Sequence, residues 1–159
     1  MIGITDAFAG SYARARVQFL EAAATAGLPI ESHAHPLKGR DGEDLAMDVV
    51  RDGPPDAEKL LIVSSACHGV EGYCGSGVQV YALHDAAWRE EARAHGVAVL
   101  YIHALNPYGF SHTRRTTHEN VDLNRNFQDF SRPLPVNEAY REVEPFLLPS
   151  TWPPAADNV

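Results

Sequence analysis

Hydrophobic and polar positions recur along the chain with two periods, and these periods predict its secondary structure. Residues 7–25 carry apolar side chains at helical spacing, which predicts a helix that ends before Gly27. Residues 29–37 and 44–50 predict two strands joined by a glycine-containing turn, because the second segment alternates apolar and polar residues. We therefore expect an antiparallel pair of strands that leads into a larger sheet.

Two apolar, β-branched runs follow this pair. Residues 59–66 predict a strand buried on both faces, and residues 97–105 predict a second buried strand. Residues 76–95, between them, predict a helix in one or two pieces that ends at Gly96. A strand, a glycine-rich turn, a helix and a strand make a βαβ unit with parallel strands. The predicted fold is therefore α/β, with a mixed, mainly parallel sheet flanked by helices.

The last third of the sequence is less regular. A polar segment at 108–130 predicts a long loop, and loops of this length inside a compact domain are usually functional. A short helix is predicted at 137–144, and Thr151 predicts the start of another helix close to the end of the sequence. From this ending we expect a single truncated domain over residues 1–159, with an exposed sheet edge through which copies self-associate.

Composition narrows the class of protein. The chain has 159 residues, of which 45% are hydrophobic and 21% charged, as in a globular domain. A net charge of -8 argues against a nucleic-acid partner, because a phosphate backbone requires a basic surface. Two Cys do not form a disulfide framework, and the N-terminus lacks the features of a signal peptide. No apolar stretch reaches membrane-spanning length, so we expect a cytoplasmic protein without a membrane partner.

The stretch SSACHGVEGYCGSG, residues 64–77, lies between the first buried strand and the helix. It does not complete a dinucleotide-binding fingerprint or a Walker loop, and Ser76 lacks the spacing of a nucleophile elbow. His68 and Glu71 are three residues apart just past a strand end, so both side chains can reach one cation. An imidazole and a carboxylate suit Zn²⁺. The spacing is common, and the alternative that both residues only decorate a turn stays open at this point.

Three further motifs follow in order. They are Asn106-Pro107-Tyr108-Gly109-Phe110, then Arg114-Arg115, then Asp122-Leu123-Asn124-Arg125-Asn126-Phe127. Together with His68-Gly69-Val70-Glu71, this ordered set resembles the zinc carboxypeptidase superfamily. More narrowly, it resembles the bacterial branch of largely uncharacterised carboxypeptidase-like proteins. The resemblance covers roughly residues 59–130.

The resemblance implies a zinc-dependent hydrolase that cleaves a C-terminal residue or a small acyl amino acid. It implies that His68 and Glu71 bind one zinc ion. It also implies that Asn124 and Arg125 bind the free carboxylate of a peptide or acyl amino acid substrate. An arginine fork matches a carboxylate with two hydrogen bonds, and asparagine adds an uncharged donor.

The family also uses an arginine that stabilises the oxyanion in catalysis. Arg114 and Arg115 are the candidates for this catalytic role, and Arg114 is the first choice. Other side chains compete as metal ligands but do not stand at the family's ligand position: His103, His112 and His118. The thiols of Cys67 and Cys74 are expected to be buried and structural.

The sequence departs from the family pattern in one respect. The family's third zinc ligand is a histidine far downstream and its general base is a glutamate, but no histidine follows Arg125 in this chain. The sequence therefore offers two ligands and a substrate clamp. A second hypothesis stays open, in which the chain is a catalytically inactive, truncated or remnant form of a carboxypeptidase-like protein.

Overall fold

The computed structural model describes residues 2–151, which fall into two compact units. The first unit, Met1–Asn126, contains the whole sheet, and the second, Phe127–Val159, contains one described helix. The helix expected from Thr151 onwards falls on residues 152–159, which lie outside the described part. The prediction of one domain over residues 1–159 stays a prediction.

Four strands form one sheet: β1 (Ile30–Lys38), β2 (Asp44–Asp52), β3 (Lys59–Ser64) and β4 (Val97–His103). Their order in the sheet is β1-β2-β4-β3. The β3–β4 pair is parallel, as the βαβ pattern predicts, whereas β1–β2 and β2–β4 are antiparallel. The α/β class and the mixed sheet are confirmed. The sheet is not mainly parallel over the described strands, because the β1–β2 hairpin adds to β4 in the opposite direction.

The described chain has five α-helices, of which the first four belong to the unit with the sheet: α1 (Tyr12–Thr25), α2 (Gly72–His84), α3 (Ala86–Ala94), α4 (Pro107–Ser111) and α5 (Glu138–Leu147). The first helix starts five residues later than predicted. Ser11 has an extended backbone and its hydroxyl accepts a hydrogen bond from the amide of Arg14 at 3.2 Å, so it caps α1. Ile4–Ala7 form a separate 3₁₀ turn.

The glycine-rich stretch is helical rather than a bend. The helix predicted over residues 76–95 begins at Gly72 instead, and it breaks at Asp85, whose carboxylate accepts from the amide of Trp88 and caps α3. The predicted polar loop also contains the short helix α4, which Asn106 caps through the amide of Gly109. The helix predicted at 137–144 extends to Leu147 and contains Pro145.

Strand β3 lies at an edge of the sheet, and the prediction that it is buried on both faces is wrong. The relative exposures of Leu60, Leu61 and Ile62 are 53%, 44% and 56%. Periodicity identifies an apolar strand but not its neighbours, and β3 pairs with β4 alone among the described strands. An apolar edge strand favours association, and self-association stays a prediction.

The described helices include none that is long and apolar enough to cross a bilayer. The cytoplasmic location stays a prediction.

Tyr12 joins helix α1 to the start of strand β2. Its hydroxyl donates to the carbonyl of Ala46 at 3.1 Å and accepts from the amide of Ala46 at 2.9 Å. The ring is 2% exposed and packs edge-on against Phe110, with the ring centroids 5.5 Å apart. One side chain therefore satisfies both polar groups of a buried backbone position.

Replacing Tyr12 with Phe is expected to lower the free energy of unfolding by about 1–3 kcal/mol, because the amide and carbonyl of Ala46 lose a buried partner. Chemical denaturation measures the change. Tyr140→Phe is the matched control, since Tyr140 is 44% exposed. Equal losses in the two variants would contradict the prediction.

His103 ends strand β4 in the core of the first unit. It is fully buried, its ring stacks on Phe19 with a centroid distance of 4.7 Å, and its Nε2 lies 2.9 Å from the hydroxyl of Ser76. Burial lowers the pKa of His103 to about 4; the nearby Asp48 raises this pKa and Arg16 lowers it. His103 is therefore a neutral core residue.

Stability is expected to decrease by about 2 kcal/mol between pH 7 and pH 5 because of His103. The unfolded side chain titrates near its ordinary pKa of 6.5 and takes up a proton in this window, while the folded side chain, with a pKa of about 4, stays neutral. The contribution is present above pH 6.5 and is lost as the pH falls towards 4. Denaturation of the wild type and His103→Gln at both pH values measures it. The same pH dependence in both proteins would contradict this assignment.

Candidate metal and substrate site

The candidate site lies where the parallel strands β3 and β4 end. Beyond Ser64, three backbone hydrogen bonds of 3.0–3.1 Å continue the pairing, the last from the amide of Asn106 to the carbonyl of Ala66. This pairing holds the segment that carries His68 beside the Asn106–Phe110 motif. The carboxyl ends of parallel strands are where open α/β sheets place ligand sites.

Gly69 brings three segments of backbone together. Its amide donates to the carbonyl of Arg114 at 3.1 Å, and the amide of Arg114 donates to the carbonyl of Gly109 at 2.9 Å. A Cβ at Gly69 would overlap the Gly109 carbonyl and come within 2.5 Å of the Arg114 oxygen. The position therefore requires glycine because the backbones approach closely, and this approach fixes the loop next to His68.

His68 is held between two carboxylates. Its Nδ1 lies 3.1 Å from Oε1 of Glu71, and its Nε2 lies 3.0 Å from Oδ1 of Asp122. The His68 side chain is 11% exposed, whereas that of Glu71 is 69% exposed. The hydrogen bond to Glu71, and to a smaller extent the one to Asp122, raises the pKa of His68 above its ordinary value. The predicted pair His68 and Glu71 does meet in space.

Asp122 belongs to the site, although the sequence identified it only as part of a motif. Its Oδ2 accepts from Nε of Arg115 at 2.7 Å, and its Oδ1 also accepts from the amide of Asn124 at 3.0 Å. The Arg115 guanidinium lowers the pKa of Asp122 to about 2, with smaller contributions from His68 and the Asn124 amide. In the sequence, the signal for Asp122 was its place just before the Asn-Arg pair. That signal did not predict its contact with His68, because the two residues are 54 positions apart in the sequence.

The donor atoms at His68 and Glu71 are suitable for zinc. With Nδ1 and Oε1 3.1 Å apart, one ion can lie at a usual bond length of about 2.0–2.2 Å from both. Asp122 contacts the other ring nitrogen, where a carboxylate commonly orients a metal-binding histidine. Because the two ring nitrogens face opposite sides, Asp122 does not reach an ion on Nδ1. Over residues 2–151, no group of three or more His, Cys, Asp or Glu side chains is placed to hold a metal ion.

The two candidate catalytic arginines have different partners. Nη2 of Arg114 donates to Oγ1 of Thr116 and to Oδ1 of Asn120, both at 3.0 Å. These bonds stay within the loop that contains Arg114. Arg115 instead reaches Asp122 and has a side chain that is 54% exposed. The structure thus connects Arg115, rather than the preferred Arg114, to His68.

Asn124 and Arg125 lie in the 3₁₀ turn Leu123–Arg125, which Asp122 caps. Both residues are exposed, and Nη1 of Arg125 has a long hydrogen bond of 3.4 Å to the Asn124 carbonyl. In the described chain Arg125 has no carboxylate partner. The guanidinium is therefore available to an anion.

The remaining candidate ligands lie elsewhere. The rings of His112 and His118 pack around Tyr108 at centroid distances of 4.1 and 5.7 Å. Cys67 is half-buried, and its thiol has a raised pKa because of burial. Cys74 is exposed, so the expectation of two buried thiols is wrong for Cys74.

Three solved structures are similar to parts of this chain. A candidate carboxypeptidase from Burkholderia mallei is 18% identical, with a TM-score of 0.46 over 72% of this chain. This chain spans about 30% of the length of that protein. The glutaminyl cyclase of Porphyromonas gingivalis is 18% identical with a TM-score of 0.30, over 65% of this chain and 48% of that one. The esterase LipW of Mycobacterium marinum is 17% identical with a TM-score of 0.29, over 57% and 26%. Similarities of this size do not define an activity.

Sequence comparison assigns the family. No curated protein matches the chain significantly. Residues 8–159 match the family described as "Protein of unknown function (DUF2817)". Because this match covers nearly the whole sequence, the chain belongs to the DUF2817 family.

Proposed function

We propose that the protein is a zinc-dependent hydrolase of the metallocarboxypeptidase type. Its substrate is a peptide that loses its C-terminal residue, or a small acyl amino acid, and in both cases it carries a free carboxylate. The observation that supports this best is the His68–Glu71 donor pair, 3.1 Å apart and backed by Asp122, which also caps the turn that carries Asn124 and Arg125.

His68 and Glu71 would hold the zinc ion through Nδ1 and Oε1. Zinc at this position supplies Lewis acidity, which polarises a carbonyl group and makes water a better nucleophile. With zinc bound, the carboxylate of Asp122 would accept a hydrogen bond from Nε2–H of His68, and this tautomer would leave the Nδ1 lone pair free for a ligand bond.

Two arginines are assigned different roles towards the substrate. Arg125 and Asn124 bind the substrate carboxylate, since the guanidinium of Arg125 has no carboxylate partner in the described chain and is exposed. Among the described residues, Nη1 and Nε of Arg114 have no hydrogen-bond acceptor, and these donors can stabilise an oxyanion.

The proposal is tested by hydrolysis with the purified protein and one equivalent of Zn²⁺. The substrates are dipeptides and N-acetyl amino acids, and the released amine is measured with an amine-reactive dye. Turnover that requires zinc and is absent after chelation supports the proposal. A protein that binds no zinc and shows no zinc-dependent hydrolysis would refute it.

Arg125→Ala is expected to lower kcat/KM by about 10- to 100-fold on a substrate with a free carboxylate, because a charge-assisted bond is lost. The loss should be much smaller on the matched substrate whose carboxylate is amidated. Arg40→Ala is the control, as Arg40 is an exposed arginine on the turn between β1 and β2. Equal losses on the acid and the amide would exclude a role of Arg125 in carboxylate binding.

One observation favours the second hypothesis, a form without catalytic activity. Within residues 2–151 the site has two donors for a metal rather than three, since no group of three or more His, Cys, Asp or Glu side chains is placed to hold an ion. Such a protein would bind zinc and a carboxylate without turnover. Zinc binding in the absence of hydrolysis would favour this form, and multiple turnovers would exclude it.

A further inference from the structure

Arg115, Asp122, His68 and Glu71 form one continuous chain of polar contacts. Nε of Arg115 lies 2.7 Å from Oδ2 of Asp122, Oδ1 of Asp122 lies 3.0 Å from Nε2 of His68, and Nδ1 of His68 lies 3.1 Å from Oε1 of Glu71. Each oxygen of Asp122 has its own side-chain partner. The carboxylate is therefore fixed in rotation about its side-chain bond as well as in position.

We propose that Arg115 is a positioning residue for the metal site: it orients Asp122, which in turn fixes the ring and tautomer of His68. The inference rests on the proposed zinc function, and it assigns Arg115 a different role from an oxyanion donor. Arg115 would act through Asp122 and would not touch the metal or the substrate carbonyl.

The donors to the two oxygens of Asp122 indicate what Arg115 contributes. The amide of Asn124 donates to Oδ1, which is the same oxygen that faces His68, so among the described residues Arg115 is the one hydrogen-bond donor to Oδ2. Without Arg115 the carboxylate can turn and divide its contact with His68 between two oxygens. The side chain of Asp122 is 18% exposed, so water replaces the lost guanidinium only in part.

Arg114 provides a comparison from the next position in sequence. Its side chain binds Thr116 and Asn120 and forms no hydrogen bond or ion pair with Asp122 in the described chain, although its backbone lies in the same loop. Loss of either arginine removes bonds that order this loop. Only the loss of Arg115 removes a contact with the carboxylate that holds His68.

The first test is the dissociation constant for Zn²⁺, measured by competition with a chromophoric chelator at one pH. Changes to outer ligands of this kind typically weaken metal binding by about 10- to 100-fold. We expect the dissociation constant for Zn²⁺ to rise about 10-fold in Arg115→Ala and about 100-fold in Asp122→Asn, relative to the wild type. Arg115→Lys should recover part of the loss, and Arg114→Ala should stay within about twofold of the wild type. Equal affinities of Arg115→Ala and Arg114→Ala would overturn the inference.

The second test uses the protein without zinc and so separates the inference from the proposed function. The hydrogen-bonded Nε2 proton of His68 is followed by NMR of protein labelled with ¹⁵N at histidine. We expect a protected, downfield proton in the wild type and Arg114→Ala, and its loss or exchange broadening in Arg115→Ala. Failure of the wild type to bind zinc would refute the proposed function alone. An unchanged Nε2 signal in Arg115→Ala would overturn the positioning role.

Discussion

Replacing His68 with Ala is expected to weaken the binding of Zn²⁺ by about 100-fold or more, which exceeds the usual effect of losing an outer ligand. Nδ1 of His68 and Oε1 of Glu71 are the two donors that face one point, 3.1 Å apart, and the variant leaves a single carboxylate. That carboxylate is 69% exposed and would bind a divalent ion no better than other surface acids. Calorimetry with Zn²⁺ should show one site in the wild type and no such site in His68→Ala.

His118→Ala is the matched control for this experiment. It also removes one imidazole from the same unit, but His118 is exposed and packs on Tyr108 rather than on Glu71. Its zinc affinity should equal that of the wild type. If His68→Ala retains the wild-type affinity, zinc is bound elsewhere and the assignment of His68 and Glu71 is wrong. If His118→Ala loses affinity instead, the alternative histidine ligand is correct.

Gly69→Ala is expected to lower the free energy of unfolding by about 3 kcal/mol or more, at the upper end for overpacking. The new methyl group would overlap the carbonyl of Gly109 and approach the carbonyl of Arg114. Both are backbone atoms held by hydrogen bonds, so neither can move aside as a flexible side chain would. Relief requires that the turn after β3 separates from the loop that carries the arginines.

The same substitution should also weaken zinc binding, because His68 is the preceding residue. Gly10→Ala is the control, since a Cβ at Gly10 has no atom within 4 Å. Chemical denaturation and zinc competition should place Gly10→Ala close to the wild type in both measurements. Equal stability of Gly69→Ala and Gly10→Ala would show that the close backbone approach at Gly69 is not required by the fold.

The local sequence pattern was sufficient to predict the strands of the fold. The period of two at 44–50, the turn before it and the β-branched runs at 59–66 and 97–105 predicted four strands, and all four are present. These features depend on neighbours in sequence, and so they can be recognised without the tertiary structure.

Predictions that depended on distant neighbours were less successful. The exposure of Leu60 and Ile62 follows from the place of β3 at the sheet edge, which depends on how β2 pairs with β4. The start of α1 depends on a cap at Ser11, and the pattern of apolar residues extends past it. Apolar periodicity reports which face of an element is apolar, but it does not report what covers that face.

The donors of the candidate site and their order can be read from the amino-acid sequence: His68 and Glu71, then the arginines, then the Asn124–Arg125 pair. The contacts between these residues come from the folded chain, in which Asp122 lies on Nε2 of His68 and Arg115, not Arg114, binds Asp122. The physical reason is the backbone approach at Gly69, which folds the arginine loop onto the turn after β3. A contact across 54 residues is set by this packing of backbone on backbone, and motif spacing does not encode it.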